Sequence, residues 1–260
     1  MIFVDIMNEQ ELFSAKRIIT EGEWYHKVVF DDVYSNGTFD YNNLIYDINF
    51  PKLDNLTVLD VGCSDGFFSK YFLESLNAKH VLGIDFNQYD GSVAFEVLNQ
   101  YENEFKEKYL SHNDYQTLKS EYEILGLKNS NKFLLMKKLF NLNMTFEEGS
   151  IYDLSQFENF DVTFCGSLLE HLRDPITAVE QLYLKTKEFC IIDVSNSFNS
   201  RKPYLKYIPS GGNFFHYSNS AIISIMNNVG FQNVKVLKKY KIKIEKYGYR
   251  IPHTVFIGYK

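Results

Sequence analysis

Residues Val58 to Ser69, VLDVGCSDGFFS, run from an apolar stretch through a tight Gly-Cys-Ser-Asp-Gly turn into an aromatic stretch with helical spacing. No other feature of the chain restricts its fold as much. An apolar run without alternation reads as a strand buried on both faces, and a strand passing straight into a helix opens a βα unit. Phe68, Tyr71, Phe72 and Leu76 share one helical face over GFFSKYFLESL. The pattern then recurs. HVLGID, MTFEEGS, FDVTFCGS and EFCIIDVS read as four more strands, with TAVEQLYLKT a helix between the last two. SNSAIISIMNNVGF is a punctuated helix: Ser218 can cap it, Ile222, Ile225, Met226 and Val229 share a face, and Gly230 can end it. NVKVLKKYKIKIEK and HTVFIGYK close the chain as two strands that pair. The expected class is α/β, a mostly parallel sheet covered on both faces and ended by an antiparallel hairpin.

Two segments depart from this rhythm. Residues 1–50 precede the first core strand and read as a helical and looped cap on a domain spanning 51–260. Residues 88–143, rich in Tyr, Glu and Lys, read as a helical insertion, either a lid over the site or a solvated decoration. The 260 residues are 45% hydrophobic, enough for a packed core. The net charge of −6 offers no general attraction to nucleic acid or to an anionic membrane. Cys63, Cys165 and Cys190 are odd in number and lack zinc-like spacing, so they read as reduced thiols of a cytoplasmic protein. MIFVDIMNEQELF carries acids within its apolar stretch and is not a leader, and no apolar run reaches membrane length.

The turn selects its ligand by spacing. In a parallel sheet, ligands bind beyond the carboxyl ends of the strands, where this turn falls. Gly62 and Gly66 let the backbone approach a ligand. Asp60, at the end of the first core strand, can accept from an ammonium group or orient the turn. Asp85, ending HVLGID, suits the two hydroxyls of a ribose. A dinucleotide site needs G-x-G-x-x-G, whereas here Asp65 stands where a pyrophosphate would meet a negative charge. The turn therefore suits a nucleoside with a zwitterionic tail, and S-adenosylmethionine is that molecule.

With these residues in view the chain resembles a class I S-adenosylmethionine-dependent methyltransferase, with D-x-G-x-S-x-G in place of the commoner D-x-G-x-G-x-G. The resemblance implies a Rossmann-like seven-stranded sheet and S-adenosylmethionine as cofactor. It assigns cofactor contacts to Asp60, Gly62, Cys63, Ser64, Gly66, Asp85, Phe86, Ser150, Ile151 and Cys165. Of these, Asp85-Phe86 resembles the ribose acid followed by an adenine-contacting residue, and Ser150-Ile151 within EEGSIYDL resembles the adenine edge. FDVTFCGSLLEHLRDP resembles the fourth strand and the loop after it. Trp24-Tyr25-His26, KKLFNLNMTFEEGSIYDL and GNFFHYSN further resemble a subgroup holding tRNA wobble-uridine methyltransferases and sugar-modifying relatives.

Methyl transfer to an alcohol needs a base, because a neutral hydroxyl is a poor nucleophile. His171, just beyond the fourth strand, is the first candidate, the alternative being that it only packs or caps its helix. Asp193, ending the fifth strand, can orient His171, as in sugar O-methyltransferases of this fold, or merely cap a turn. His216 follows a glycine pair and reads as part of a loop over the acceptor. Tyr25, His26 and Asn196 are the expected substrate contacts, although Tyr25 and His26 can equally pack the cap. His80, His112 and His253 fall at strand starts or in the insertion, away from the predicted edge, and receive no role. In KKYKIKIEKYGYR, Lys241 and Lys243 alternate with Ile242 and Ile244, as in a solvated edge strand or a phosphate-binding patch.

The sequence thus points to an O-methyltransferase acting on a small polar acceptor, foremost a sugar hydroxyl of a nucleotide sugar or polysaccharide precursor. No metal is called for, since no His/Asp/Glu cluster has ligand spacing. A tRNA wobble-uridine enzyme is the rival reading, disfavoured by a pI near 5.6, and a catalytically silent cofactor-binding scaffold is the third. No membrane partner is expected, and a homodimer is left open.

Overall fold

The computed structural model describes residues 7–85, 112–127, 132–210, 213–244 and 248–260. The expected Phe86 contact lies outside these. A cap comes first, with α1 (Glu9–Glu21), a short hairpin of β1 (Val29–Phe30) and β2 (Val33–Tyr34), and α2 (Leu44–Asp47). The core follows as β3 (Thr57–Val61), α3 (Phe67–Glu74), β4 (His80–Asp85), α4 (His112–Ile124), α5 (Lys132–Phe140), β5 (Met144–Glu148) and β6 (Phe160–Gly166). After a 3-10 turn at Leu169–His171 come α6 (Pro175–Lys185), β7 (Thr186–Ser195), β8 (Leu205–Ser210), β9 (Asn213–Tyr217), α7 (Asn219–Val229), β10 (Gln232–Lys243) and β11 (Arg250–Tyr259).

Seven strands form one sheet in the order β10-β11-β7-β6-β3-β4-β5. The five strands from β7 to β5 are parallel, and β11 runs antiparallel to both β7 and β10. The unalternating strands have a simple cause. Val58, Val81, Val162 and Ile191 face a cluster shared with α1, α3 and α5, while Leu59, Leu82, Cys165 and Ile192 face another shared with α6 and α7. Both faces are dry, so both parities must be apolar.

Helix ends follow local chemistry. Asn8 and Glu11 close a capping box on α1, with Asn8 Oδ1 accepting from the Glu11 N–H at 2.9 Å and Glu11 Oε2 from the Asn8 N–H at 3.0 Å. Ser218 caps α7 by accepting from the Ala221 N–H, and Gly230 ends it, both as the sequence suggests.

Of the expected insertion, residues 88–111 and 128–131 lie outside the described residues. Phe133, Leu135, Met136 and Leu139 of α5 are buried in the core, so α5 is the crossover helix joining parallel β4 to β5. Upstream of it, α4 packs on the cap helix α1, and Arg17 pairs with the buried Glu121. A β8–β9 hairpin stands where a loop was expected, which places His216 on a strand opposite Lys206. No helix among the described residues is long and apolar enough to cross a membrane.

Candidate active site

β3 lies between β4 and β6, and its crossovers leave to opposite sides, so a crevice opens beyond the carboxyl ends of β3 and β6. The turn after β3 forms one wall. The Gly62 N–H donates to the Ile84 carbonyl at 2.8 Å, and the Cys63 N–H reaches the same oxygen at 3.2 Å. Gly62 (φ +80°) and Gly66 (φ +83°) occupy left-handed backbone, and a Cβ at Gly66 would also stand 3.0 Å from the Phe133 ring. Ser64 shares that conformation at φ +50°. Its N–H donates to Asp85 Oδ2 at 2.8 Å, which ties the ends of β3 and β4 together.

Asp60 is buried and accepts from Ser69 Oγ through Oδ2 at 2.5 Å. Sequence reasoning did not single out Ser69, which sits one turn into α3 on the face toward β3. The Ser69 hydroxyl engages one of the two carboxylate oxygens, Oδ2. Burial raises its pKa to about 7; the nearby Asp85 charge adds to the rise and the Ser69 bond opposes it. The sign follows. In the folded chain the protonated form of Asp60 is favoured, a contribution that is full below the ordinary carboxylate range and falls away as pH rises from there to about 7. A cationic ligand needs the ionised form. Affinity for S-adenosylhomocysteine is therefore expected to be about tenfold weaker at pH 6 than at pH 8. Calorimetry across that range checks this, and Asp60→Asn should flatten the profile.

Asp65 does not face the ligand. Its Oδ1 lies 2.6 Å from His26 Nδ1, and its Oδ2 accepts from the His26 N–H at 2.8 Å. Burial would raise the Asp65 pKa, but the His26 charge and hydrogen bonds outweigh it and hold it low. The pyrophosphate repulsion expected of Asp65 thus gives way to a tie between turn and cap. His26 is correspondingly buried, packed against Tyr41, Phe67 and Phe68. Tyr25 is more exposed and meets the His26 ring edge-on at 4.8 Å.

Other expected contacts fall into two groups. Cys63 and Cys165 are buried, with burial pushing both thiols well up, so only their backbones are available to a ligand. Ser150 lies just beyond β5, whose last residue Glu148 pairs with Asp85, and its Oγ accepts from the Tyr152 N–H. Ile151 beside it is buried.

The acceptor side lies beyond β6 and β7. Glu170, fully buried, accepts from the Ser195 N–H at 3.1 Å and so pins the 3-10 turn to the end of β7. His171 follows it, half-buried. The β8–β9 hairpin packs on this turn, and Tyr217 Oη donates to the Leu169 carbonyl at 2.8 Å. His216 on β9 is half-buried too; burial and the nearby Lys206 lower its pKa. Asn196 takes left-handed backbone, and its N–H donates to the Pro252 carbonyl at 2.7 Å.

Asp193 does not orient His171. Its Oδ2 accepts from Tyr240 Oη and lies 3.2 Å from His253 Nδ1. Ser167 Oγ stands 3.2 Å from the same nitrogen, and Tyr41 Oη lies 3.2 Å from Tyr240 Oη. The His253 and Tyr240 rings stack at 4.9 Å. Burial, and next the Asp193 charge, push both tyrosine pKa values well up, so both phenols remain donors. His253 Nε2 is buried and has no partner among the described residues. The sequence reading set His253 aside because it opens a strand. β11 is antiparallel, however, so its start lies beside Ser195 at the carboxyl edge. The predicted hairpin contained that signal.

The profile of the methyltransferase domain family matches residues 42–236. A curated relative, tRNA U34 carboxymethyltransferase of Nautilia profundicola, is 26% identical over 161 residues, or 57% of this chain. The chain covers 41% of that relative's length. Among solved structures, the N-terminal domain of EvdMO1, determined in the presence of S-adenosylhomocysteine and D-fucose, is similar with a TM-score of 0.60 and 12% identity. The alignment covers 97% of each chain. The 1,6-didemethyltoxoflavin-N1-methyltransferase of Burkholderia thailandensis, with its namesake compound and S-adenosylhomocysteine bound, is similar with a TM-score of 0.50 and 12% identity, over 80% of this chain and 72% of its own. At these identities the two structures share the fold alone.

Proposed function

The chain belongs to the methyltransferase domain family and is a class I S-adenosylmethionine-dependent methyltransferase, and from that premise we propose that its acceptor is a hydroxyl of a small, sugar-like molecule. The carrying observation is the Asp193–His253 pair at the carboxyl edge, with His253 Nδ1 against the carboxylate and Nε2 buried without a partner among the described residues. A buried nitrogen without a hydrogen bond costs about 1–3 kcal/mol, a cost that an acceptor hydroxyl at Nε2 relieves.

The residues around the turn fit the cofactor: Asp60 would hold its ammonium, Asp85 its ribose, and the turn between Gly62 and Gly66 would let the backbone approach it. When bound, S-adenosylmethionine would supply a methyl group to the acceptor oxygen, the S–C bond breaking as the O–C bond forms and S-adenosylhomocysteine leaving. His253 Nε2 would take the proton of the acceptor hydroxyl. Asp193 receives the Nδ1–H, holds the ring in that tautomer and stabilises the imidazolium. Tyr240 donates to Asp193 and keeps its charge in place within a dry cluster. His171 and His216, both half-buried on the same side, form a wall against the acceptor and take no proton.

The EvdMO1 domain, determined in the presence of D-fucose, is in keeping with a polyol acceptor. A second reading, transfer to tRNA, draws on the Nautilia profundicola relative. Methyl-labelled S-adenosylmethionine offered with free sugars, nucleotide sugars and bulk tRNA decides between them. Label in a sugar is the expected result; label in tRNA alone overturns the proposal.

A further inference from the structure

A cavity of about 340 Å³ opens where the segment after β7 crosses the β10–β11 hairpin, and the reaction above uses only its His253 and Tyr240 border. Its polar walls are Ser197, Asn199, Asn219, Lys239, Lys241 and Thr254. The volume falls within the ~300–1,000 Å³ of small-molecule sites. No carboxylate among the described residues lines it, although the chain has 33 acidic residues against 27 basic ones.

The strand register brings the two lysines together. Lys239 pairs with Thr254 and Lys241 with Pro252, and residues two apart on a strand share a face. Lys239 Nζ donates to Asn199 Oδ1 at 2.5 Å, and Asn219 Nδ2 donates to the same oxygen at 2.8 Å. Ser197 Oγ donates to Thr254 Oγ1 at 2.6 Å, which leaves the threonine hydroxyl proton for another acceptor. Neither lysine makes a salt bridge with a carboxylate among the described residues. Two ammonium groups, a hydroxyl donor and no acid are a donor set for an anion with several oxygens. Phe198 adds an aromatic wall against which a ring can lie.

We infer that this cavity binds the diphosphate of a nucleoside diphosphate, the handle by which an activated sugar is held. His253 and Tyr240, which belong to the Asp193 cluster, also border the cavity, so a sugar carried on that diphosphate is tethered beside the proposed base. The sugar part rests on the hydroxyl-acceptor reading above; the diphosphate part does not.

Calorimetry on the full chain separates the two. Inorganic pyrophosphate and uridine diphosphate are expected to bind, and uridine to bind more weakly than uridine diphosphate. Lys239→Gln with Lys241→Gln should weaken both phosphate ligands at least about tenfold, by loss of two charge-assisted contacts. Lys235→Gln, on the same strand but outside the cavity, should not change them. S-adenosylhomocysteine affinity should be equal in all three proteins, which also reports that the variants fold. Absence of diphosphate binding, or equal binding in the double variant, overturns the inference while leaving the methyltransferase reading intact. Retained diphosphate binding with label entering tRNA alone overturns the tether and the sugar acceptor but not the anion site. Lysine-dependent binding of bulk tRNA without binding of either small diphosphate overturns the inference in favour of a nucleic-acid surface.

Discussion

Replacing His253 with alanine is expected to lower turnover by about 10²- to 10⁴-fold, the range associated with loss of a general base. S-adenosylhomocysteine affinity should stay within about twofold of wild type, because the ring lies beyond β6 and β7 while Asp60 and Asp85 end β3 and β4. That affinity also shows that the variant is folded. The substitution removes the group at Nε2 but leaves Asp193 its bond from Tyr240, so the carboxylate is not stranded. Asp193→Asn should also lower kcat, by less than loss of the ring and with KM nearly unchanged, since it disturbs the tautomer rather than removing the base. Single-turnover transfer of a labelled methyl group measures both variants. Wild-type turnover in His253→Ala would move the base elsewhere, and His171→Ala would then be the deciding measurement.

Asp85→Ala should weaken cofactor affinity by about 2 to 4 kcal/mol, through loss of charge-assisted bonds to two ribose hydroxyls. The carboxylate has a second task in the folded chain. It accepts from the Ser64 N–H and so holds the turn in its left-handed backbone. Asp85→Asn keeps an acceptor for that N–H, so it separates the roles: charge lost but turn kept should give an intermediate affinity. Calorimetry with S-adenosylhomocysteine measures all three proteins. An unchanged dissociation constant in Asp85→Ala would remove Asp85 from the ribose.

The sequence by itself determined those features whose cause is local. Strands dry on both faces must be apolar at both parities, so β3, β4, β6 and β7 were legible as unalternating runs. The turn was legible because left-handed backbone at positions 62 and 66 calls for glycine. The places of Asp60 and Asp85 at the carboxyl edge were legible because each falls at the end of a parallel strand.

Tertiary structure alone decided the rest, and in each case a direction was at stake. Cys165 sits on a strand with two apolar faces, and only packing against α6 and α7 shows that its thiol points into the core. Asp65 sits in a turn whose side chains can point toward a ligand or away from it, and the His26 of a cap 39 residues upstream turned it away. Asp193 had several histidines within reach of the sheet's edge. Which one it met depended on β11 running antiparallel to β7: that reverses the end at which a strand's first residues lie, and so carries His253 rather than His171 to the carboxylate.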